Sequence, residues 1–250
     1  MSAEPQRLET RNITKHFGGV AALSGASISA NPGEITGLIG PNGAGKTTLF
    51  DVITGFIQPD SGSVHYGDRE LTRLPPNRIA LRGVVRTFQD VRIFGGMTGL
   101  ENLEVGVRRG CNLDAALELL QLAERTRGWA IPLDVPARSL SFGDQKVIAI
   151  ARTLALGAGA MLLDEPASGL DEGSIGVLLT LLRSFKEQGK LVLLVEHNMG
   201  FVMSTCDRLF VLANGAVLAH GSPAEIQADR AVIDAYLTGG AVDDAPEVAR

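Results

Sequence analysis

The chain has 250 residues, 45% of them hydrophobic and 20% charged, which suffices for one large domain or two small ones with a core in each. A formal net charge of −5 argues against a protein that holds nucleic acid by its phosphates, which needs a basic face. Cys111 and Cys206 match no metal or redox spacing and predict free thiols in a reducing compartment, and the opening MSAEPQRLET lacks the basic-then-apolar order of a signal peptide.

Alternation at residues 8–13 and 26–30, then the apolar run 35–39, predict the strands that open a sheet, and residues 46–54 pattern as a helix. Strand signals fade from about residue 90 to 156. Within that stretch, residues 113–124 place Asp114, Glu118 and Gln121 on one face behind Asn112 as N-cap, so it reads as a helical subdomain inserted in an α/β core. The longest apolar run, 147–163, is broken by Arg152, Gly157 and Gly159 and ends on Asp164 and Glu165. A membrane helix needs about 20 apolar residues with few charges, so this run predicts a buried helix, a turn and a buried strand at 161–163. Any membrane link must come through a partner. A helix at 175–186 and a strand at 191–195 continue the alternation of a parallel sheet covered by helices. Residues 239–250, GGAVDDAPEVAR, are small, acidic and unpatterned and read as a frayed tail.

Gly40, Pro41, Asn42, Gly43, Ala44, Gly45, Lys46, Thr47 and Thr48 follow a buried strand and open a helix, the context that a phosphate-binding loop requires. Glycines let successive backbone N–H groups turn inward toward phosphate oxygens, and the helix adds its positive end. Lys46 suits the β- and γ-phosphates of a nucleoside triphosphate, Thr47 offers Mg²⁺ a hydroxyl, and Thr48 can bond phosphate from the next position. At residues 161–166, MLLDEP, a buried strand ends in two acids. Acids there are costly unless paired or bound to metal, which suits Asp164 to Mg²⁺ and Glu165 to the attacking water, although strand ends meeting solvent also carry acids.

Residues 140–146, LSFGDQK, stand about 20 residues before Asp164. They resemble the signature of ABC ATPases, usually LSGGQ, with Phe142 and Asp144 departing from it. The resemblance implies that Ser141 and Gly143 meet the γ-phosphate of ATP held by a second subunit, at the N-terminal end of a helix running to about residue 156. Alone, the same residues would read as a plain N-cap. By the same resemblance, Gln89 in RTFQD is the glutamine that touches Mg²⁺ or the attacking water, and Asp171 in SGLD belongs to the loop that crosses the dimer interface. His197, just past the strand LVLLVE, is the histidine that orients Glu165. Phe17 matches the aromatic that stacks on adenine and reads equally well as a core phenylalanine.

The implied fold is α/β: a P-loop NTPase core with a mixed sheet, an N-terminal antiparallel β region and the inserted helical subdomain at about 90–156, one cassette through residue 238. The implied activity is Mg²⁺-dependent ATP hydrolysis by a head-to-tail homo- or heterodimer, beneath transmembrane permease subunits at the cytoplasmic face of the membrane. A substrate-binding protein would act through those subunits. Arg92, Ile93 and Phe94 could seat a permease helix or pack internally. The stretches HFGGVAAL, RTFQDVRIF, MTGLENLEVG and GSPAEIQADRAVIDAYL resemble the ATPases of branched-chain amino acid importers. That branch often has asparagine at Asp171 and a longer region around 108–134. A urea or amide importer, a lipopolysaccharide exporter and a soluble non-transport ATPase remain as alternatives.

Overall fold

The computed structural model describes residues 6–88, 90–105, 113–128 and 130–238. The first half runs β1 (Leu8–Phe17), β2 (Val20–Ala26), β3 (Ser29–Ala30), β4 (Ile35–Ile39), α1 (Lys46–Ile53), β5 (Ser61–Tyr66), β6 (Arg69–Glu70), α2 (Pro76–Ala80), β7 (Val84–Arg86) and α3 (Gly99–Glu104). The second half runs α4 (Leu113–Arg127), α5 (Phe142–Ala155), β8 (Ala160–Asp164), α6 (Glu172–Glu187), β9 (Leu191–Val195), α7 (Met199–Thr205), β10 (Arg208–Ala213), β11 (Ala216–Gly221), α8 (Pro223–Ala228) and α9 (Arg230–Thr238).

An antiparallel sheet has the order β2-β1-β5-β6 with β3 beside β1, and a mixed sheet has the order β11-β10-β4-β9-β8-β7, antiparallel only at β10–β11. Two layers of core cover the mixed sheet. Leu191, Leu193 and Val195 of β9 point into a core shared with α1 and the antiparallel sheet, while Val192 and Leu194 point to the other side, against α4, α5 and α6. That is why β8 and β9 read as unbroken apolar runs rather than alternating ones. Helix α3 begins with a capping box, Thr98 Oγ1 accepting from Glu101 N–H and Glu101 accepting from Thr98 N–H at 2.7 Å.

The single strand expected at 26–30 is divided between β2 and β3. Side chains take over the ladder there: Thr10 Oγ1 accepts from Ile28 N–H at 2.9 Å and Ser27 Oγ accepts from Asn12 N–H at 2.8 Å. The expected helices at 46–54, 113–124 and 175–186 form with slightly different ends. Asn112, Cys111 and the tail after residue 238 lie outside the described residues. Among the described residues, no helix is long and apolar enough to cross a membrane.

Candidate active site

Three parallel strands bring the candidate chemistry to one edge. Leu38 of β4 pairs with Val195 of β9, and Val195 pairs with Asp164 of β8, so residues that follow all three strands emerge side by side. Gly40 follows β4, Glu165 follows β8, and Glu196 then His197 follow β9.

The phosphate loop turns between β4 and α1. Gly40 has φ +151° and Gly45 has φ +101°; a Cβ would stand 2.1 Å from Leu212 O at the first and 2.4 Å from Ala22 O at the second, so both positions require glycine. The β10–β11 turn supports the loop from beneath, Gly215 N–H donating to Ala44 O at 3.0 Å. Lys46 is buried, and its ammonium donates to Gly40 O at 2.7 Å and Pro41 O at 2.9 Å, two of its three protons. Burial lowers its pKa, opposed by the charge of Glu165. Thr47 is exposed and Thr48 half-buried. At the crown, a Cβ on Gly43 meets nothing within 4 Å, and Asn42 is exposed. A glycine cradle closed toward the core and open outward, with an ammonium and a hydroxyl at its rim, fits a nucleotide phosphate.

Glu165 has φ +46°, rare for a residue with a side chain, and its N–H donates to Val195 O at 2.9 Å. Its carboxylate Oε1 lies 2.9 Å from His197 Nε2. Asp164 Oδ2 lies 2.6 Å from the guanidinium of Arg86, whose other terminal nitrogen is 2.5 Å from Asp51 Oδ1 on α1. The carboxylate proposed for Mg²⁺ thus shares a buried cation with the phosphate-loop helix. The oxygen donors Asp164 and Thr47 fit that hard cation in type.

The signature opens α5, where Ser141 and Phe142 are exposed and Gly143 packs against Ser174. Asp171 is the N-cap of α6, accepting from Ser174 N–H at 2.8 Å, and that bond holds its pKa low. Phe17 is 48% exposed with the Lys15 ammonium 5.6 Å from its ring, which removes the core alternative. Gln89 lies outside the described residues. The Ile93–Phe94 pair divides: Ile93 packs on the core, while Phe94 is half-exposed. Buried Asn102 fixes that segment, accepting from Phe94 N–H at 2.8 Å and donating to Phe94 O at 3.0 Å. Behind it, a cavity of about 550 Å³ reaches from Arg92 and Phe94 to Arg86 and Asp164.

Lys146 and Glu196 are among the buried charges that escaped the sequence reading. Lys146 on α5 donates to the carbonyl oxygens of Glu165, Pro166 and Ser168 at 3.3, 3.1 and 2.5 Å, tying the signature helix to the turn that carries Glu165. Burial lowers its pKa, opposed by Glu196 and Glu165. Glu196 accepts from Ala167 N–H at 2.6 Å and His197 N–H at 3.1 Å; burial raises its pKa against those hydrogen bonds. An acid directly after a fully apolar strand was the available signal for Glu196, the same one that marks Asp164.

A family model described as ABC transporter matches residues 23–168, and one described as branched-chain amino acid ATP-binding cassette transporter matches residues 216–237. The chain is 37% identical over 249 residues to the high-affinity branched-chain amino acid transport ATP-binding protein BraF of Pseudomonas aeruginosa, with 92% of this chain and 97% of that one covered. It is 36% identical over 247 residues to LivG of Escherichia coli K12, a protein of the same description, with the same coverage. The ADP conformation of MJ1267, an ATP-binding cassette of an ABC transporter, matches with a TM-score of 0.82 at 31% identity, covering 93% of this chain and 99% of that one. The dimeric bacterial ABC transporter cassette MJ0796 matches at 0.72 and 27% identity, covering 86% and 98%. With most of its length matched in sequence and in fold, and its phosphate loop, paired acids and histidine gathered at one sheet edge, the chain belongs to the ABC transporter family as an ATP-binding cassette.

Proposed function

We propose that this chain is the ATP-hydrolysing subunit of an importer for branched-chain or other hydrophobic amino acids. It works as one cassette through residue 238, paired head to tail with a second ATPase subunit beneath permease subunits at the cytoplasmic face of the membrane. The observation that carries the hydrolytic reading is the 2.9 Å contact between Glu165 Oε1 and His197 Nε2 at the edge that also holds Lys46. The cargo reading is supported by the relatives named for branched-chain amino acid transport and by the matched C-terminal segment at 216–237.

The triphosphate lies along the N–H groups of residues 42–48, with the remaining Lys46 proton turned to its β- and γ-oxygens. Thr47, Asp164 and Gln89 would hold Mg²⁺, which would offset the negative charge of the phosphate. Phe17, exposed at the end of β1, stacks on adenine. Glu165 accepts a hydrogen bond from the attacking water and draws off its proton as the water oxygen bonds to the γ-phosphorus and the bond to ADP breaks. His197 holds the carboxylate in place. Ser141 and Gly143 of the second subunit, next to its Asp171, complete the site, so ATP closes the dimer and hydrolysis releases it.

ATP turnover and ATP-dependent dimerisation of the wild type and Glu165→Gln in Mg²⁺ buffer test this. Slow turnover by the wild type and an ATP-trapped, nearly inactive dimer for the variant are expected. A variant that hydrolyses normally, with neither form dimerising, would sink the motor reading. Loss of labelled leucine uptake in cells lacking the chain, with urea uptake intact, is the expected cargo result, and the reverse would reassign the cargo.

A further inference from the structure

Asp144 puts a carboxylate where the ABC signature usually has a neutral glutamine, on the surface proposed to receive a second subunit's phosphate. The side chain is not loose there. Asp144 is 7% exposed; its Oδ2 accepts from the Ser141 hydroxyl at 2.7 Å, and its own N–H donates back to Ser141 Oγ at 3.1 Å. The other carboxylate oxygen is paired with Arg127, the last residue of α4, and both side chains are buried. Arg127 also helps hold down the pKa of Asp171 at the N-terminus of α6, behind the hydrogen bonds that Asp171 accepts from Ser174. One guanidinium from the helical region therefore pairs with the acid of the signature and acts at longer range on the charge of Asp171.

We propose that Arg127 is a positioning residue of the signature, acting through Asp144 on Ser141. The hydroxyl of Ser141 has one proton, and in this structure Asp144 holds it. To serve a phosphate, that proton must be shared with the incoming anion, and an unneutralised carboxylate would both keep the proton and repel the anion. The guanidinium neutralises Asp144 and fixes its orientation, which makes an acid at this position compatible with anion binding. Asp144 and Arg127 thus form a compensated pair: removing the cation alone is harmful, and removing both charges is tolerated.

The inference rests on the two-subunit reading of the site, so the test is made in the Glu165→Gln background. Dimer dissociation constants at saturating Mg·ATP are measured by analytical ultracentrifugation, alongside binding of a fluorescent ATP analogue to the monomer. Adding Arg127→Met is expected to weaken the dimer by about a hundredfold with monomer binding unchanged. Adding Asp144→Gln to that variant is expected to restore most of the loss, as is Arg127→Lys in place of Arg127→Met. Asp144→Gln alone, which keeps the cation, is expected to dimerise at least as tightly as the parent. If Arg127→Met does not fold, Asp144→Gln alone dimerising more weakly than the parent overturns the proposal. Failure of Glu165→Gln itself to dimerise with ATP would overturn the two-subunit reading and this inference with it. A parent that dimerises while Arg127→Met dimerises equally well, or a pair variant that stays weak, or Asp144→Gln alone as weak as Arg127→Met, would overturn the role of Arg127 and leave the two-subunit site standing.

Discussion

The guanidinium of Arg86 lies 2.6 Å from Asp164 Oδ2 and reaches Asp51 with its second terminal nitrogen, so the last residue of β8 and the helix behind the phosphate loop are held by one cation. The Arg86 side chain is 5% exposed and that of Asp164 10%. Replacing Arg86 with methionine strands two carboxylates and is expected to cost about 3–5 kcal/mol in urea unfolding. Asp51→Asn in that background should recover part of the loss. An Arg86→Met protein as stable as the wild type would show that the cluster contributes nothing to the fold.

Lys146 offers a kinetic prediction. Its three carbonyl contacts span the backbone from Glu165 to Ser168, where Glu165 takes its left-handed conformation. Lys146→Met is expected to lower kcat by about tenfold or more through misplacement of Glu165, with ATP affinity little changed. Lys146→Arg, which keeps a cation able to reach the carbonyls, should restore part of the rate. An unchanged kcat in Lys146→Met would remove the clamp from the account.

The legible parts of this chain were those whose chemistry is local. A glycine-rich turn between a buried strand and a helix marks residues 40–48, and acids directly after an apolar strand mark Asp164 and Glu165. The helices at α1, α4 and α6 and the strands β4, β8 and β9 also followed from pattern. What stayed hidden depends on long-range partners. Lys146 looks like any solvated lysine on a helix until the carbonyl oxygen of Ser168 stands 2.5 Å from it. The β10–β11 hairpin is partly exposed along its outer strand, so its hydropathy signal is weak, and its support of the loop through Gly215 and Ala44 is a tertiary contact. Arg127 pairs with Asp144 only because α4 lies against α5.

Burial pushes the thiol of Cys206 from 9.0 to about 12. A pKa raised in the fold means that the neutral thiol is favoured; this contribution to stability is full below pH 9.0 and is lost as pH rises toward 12. In a Cys111→Ser protein at pH 8, alkylation by iodoacetamide should be about a thousandfold slower when native than in urea, through the smaller thiolate fraction alone, and steric cover adds to that. Rapid native labelling would mean that α7 opens readily from the sheet.

The two kinds of glycine in the phosphate loop separate fold from function. At Gly43 a Cβ meets nothing within 4 Å, so Gly43→Ala pays only for a left-handed backbone at φ +78°, about 1–2 kcal/mol, and should fold. At Gly40 the backbone stands at φ +151° and a Cβ would lie 2.1 Å from Leu212 O, a backbone atom of β10 that cannot turn aside. Gly40→Ala must therefore push β4 and β10 apart or move the loop, and its loss of stability should exceed that of Gly43→Ala by several kcal/mol. Nucleotide binding adds the second distinction. The methyl group that Gly43→Ala adds projects outward from the open crown, where the phosphate is proposed to lie, so this variant should retain its fold and lose ATP affinity, measured by titration with a fluorescent analogue. Equal stability for the two variants would contradict the packing of the loop against β10, and normal ATP affinity in Gly43→Ala would place the phosphate away from the crown.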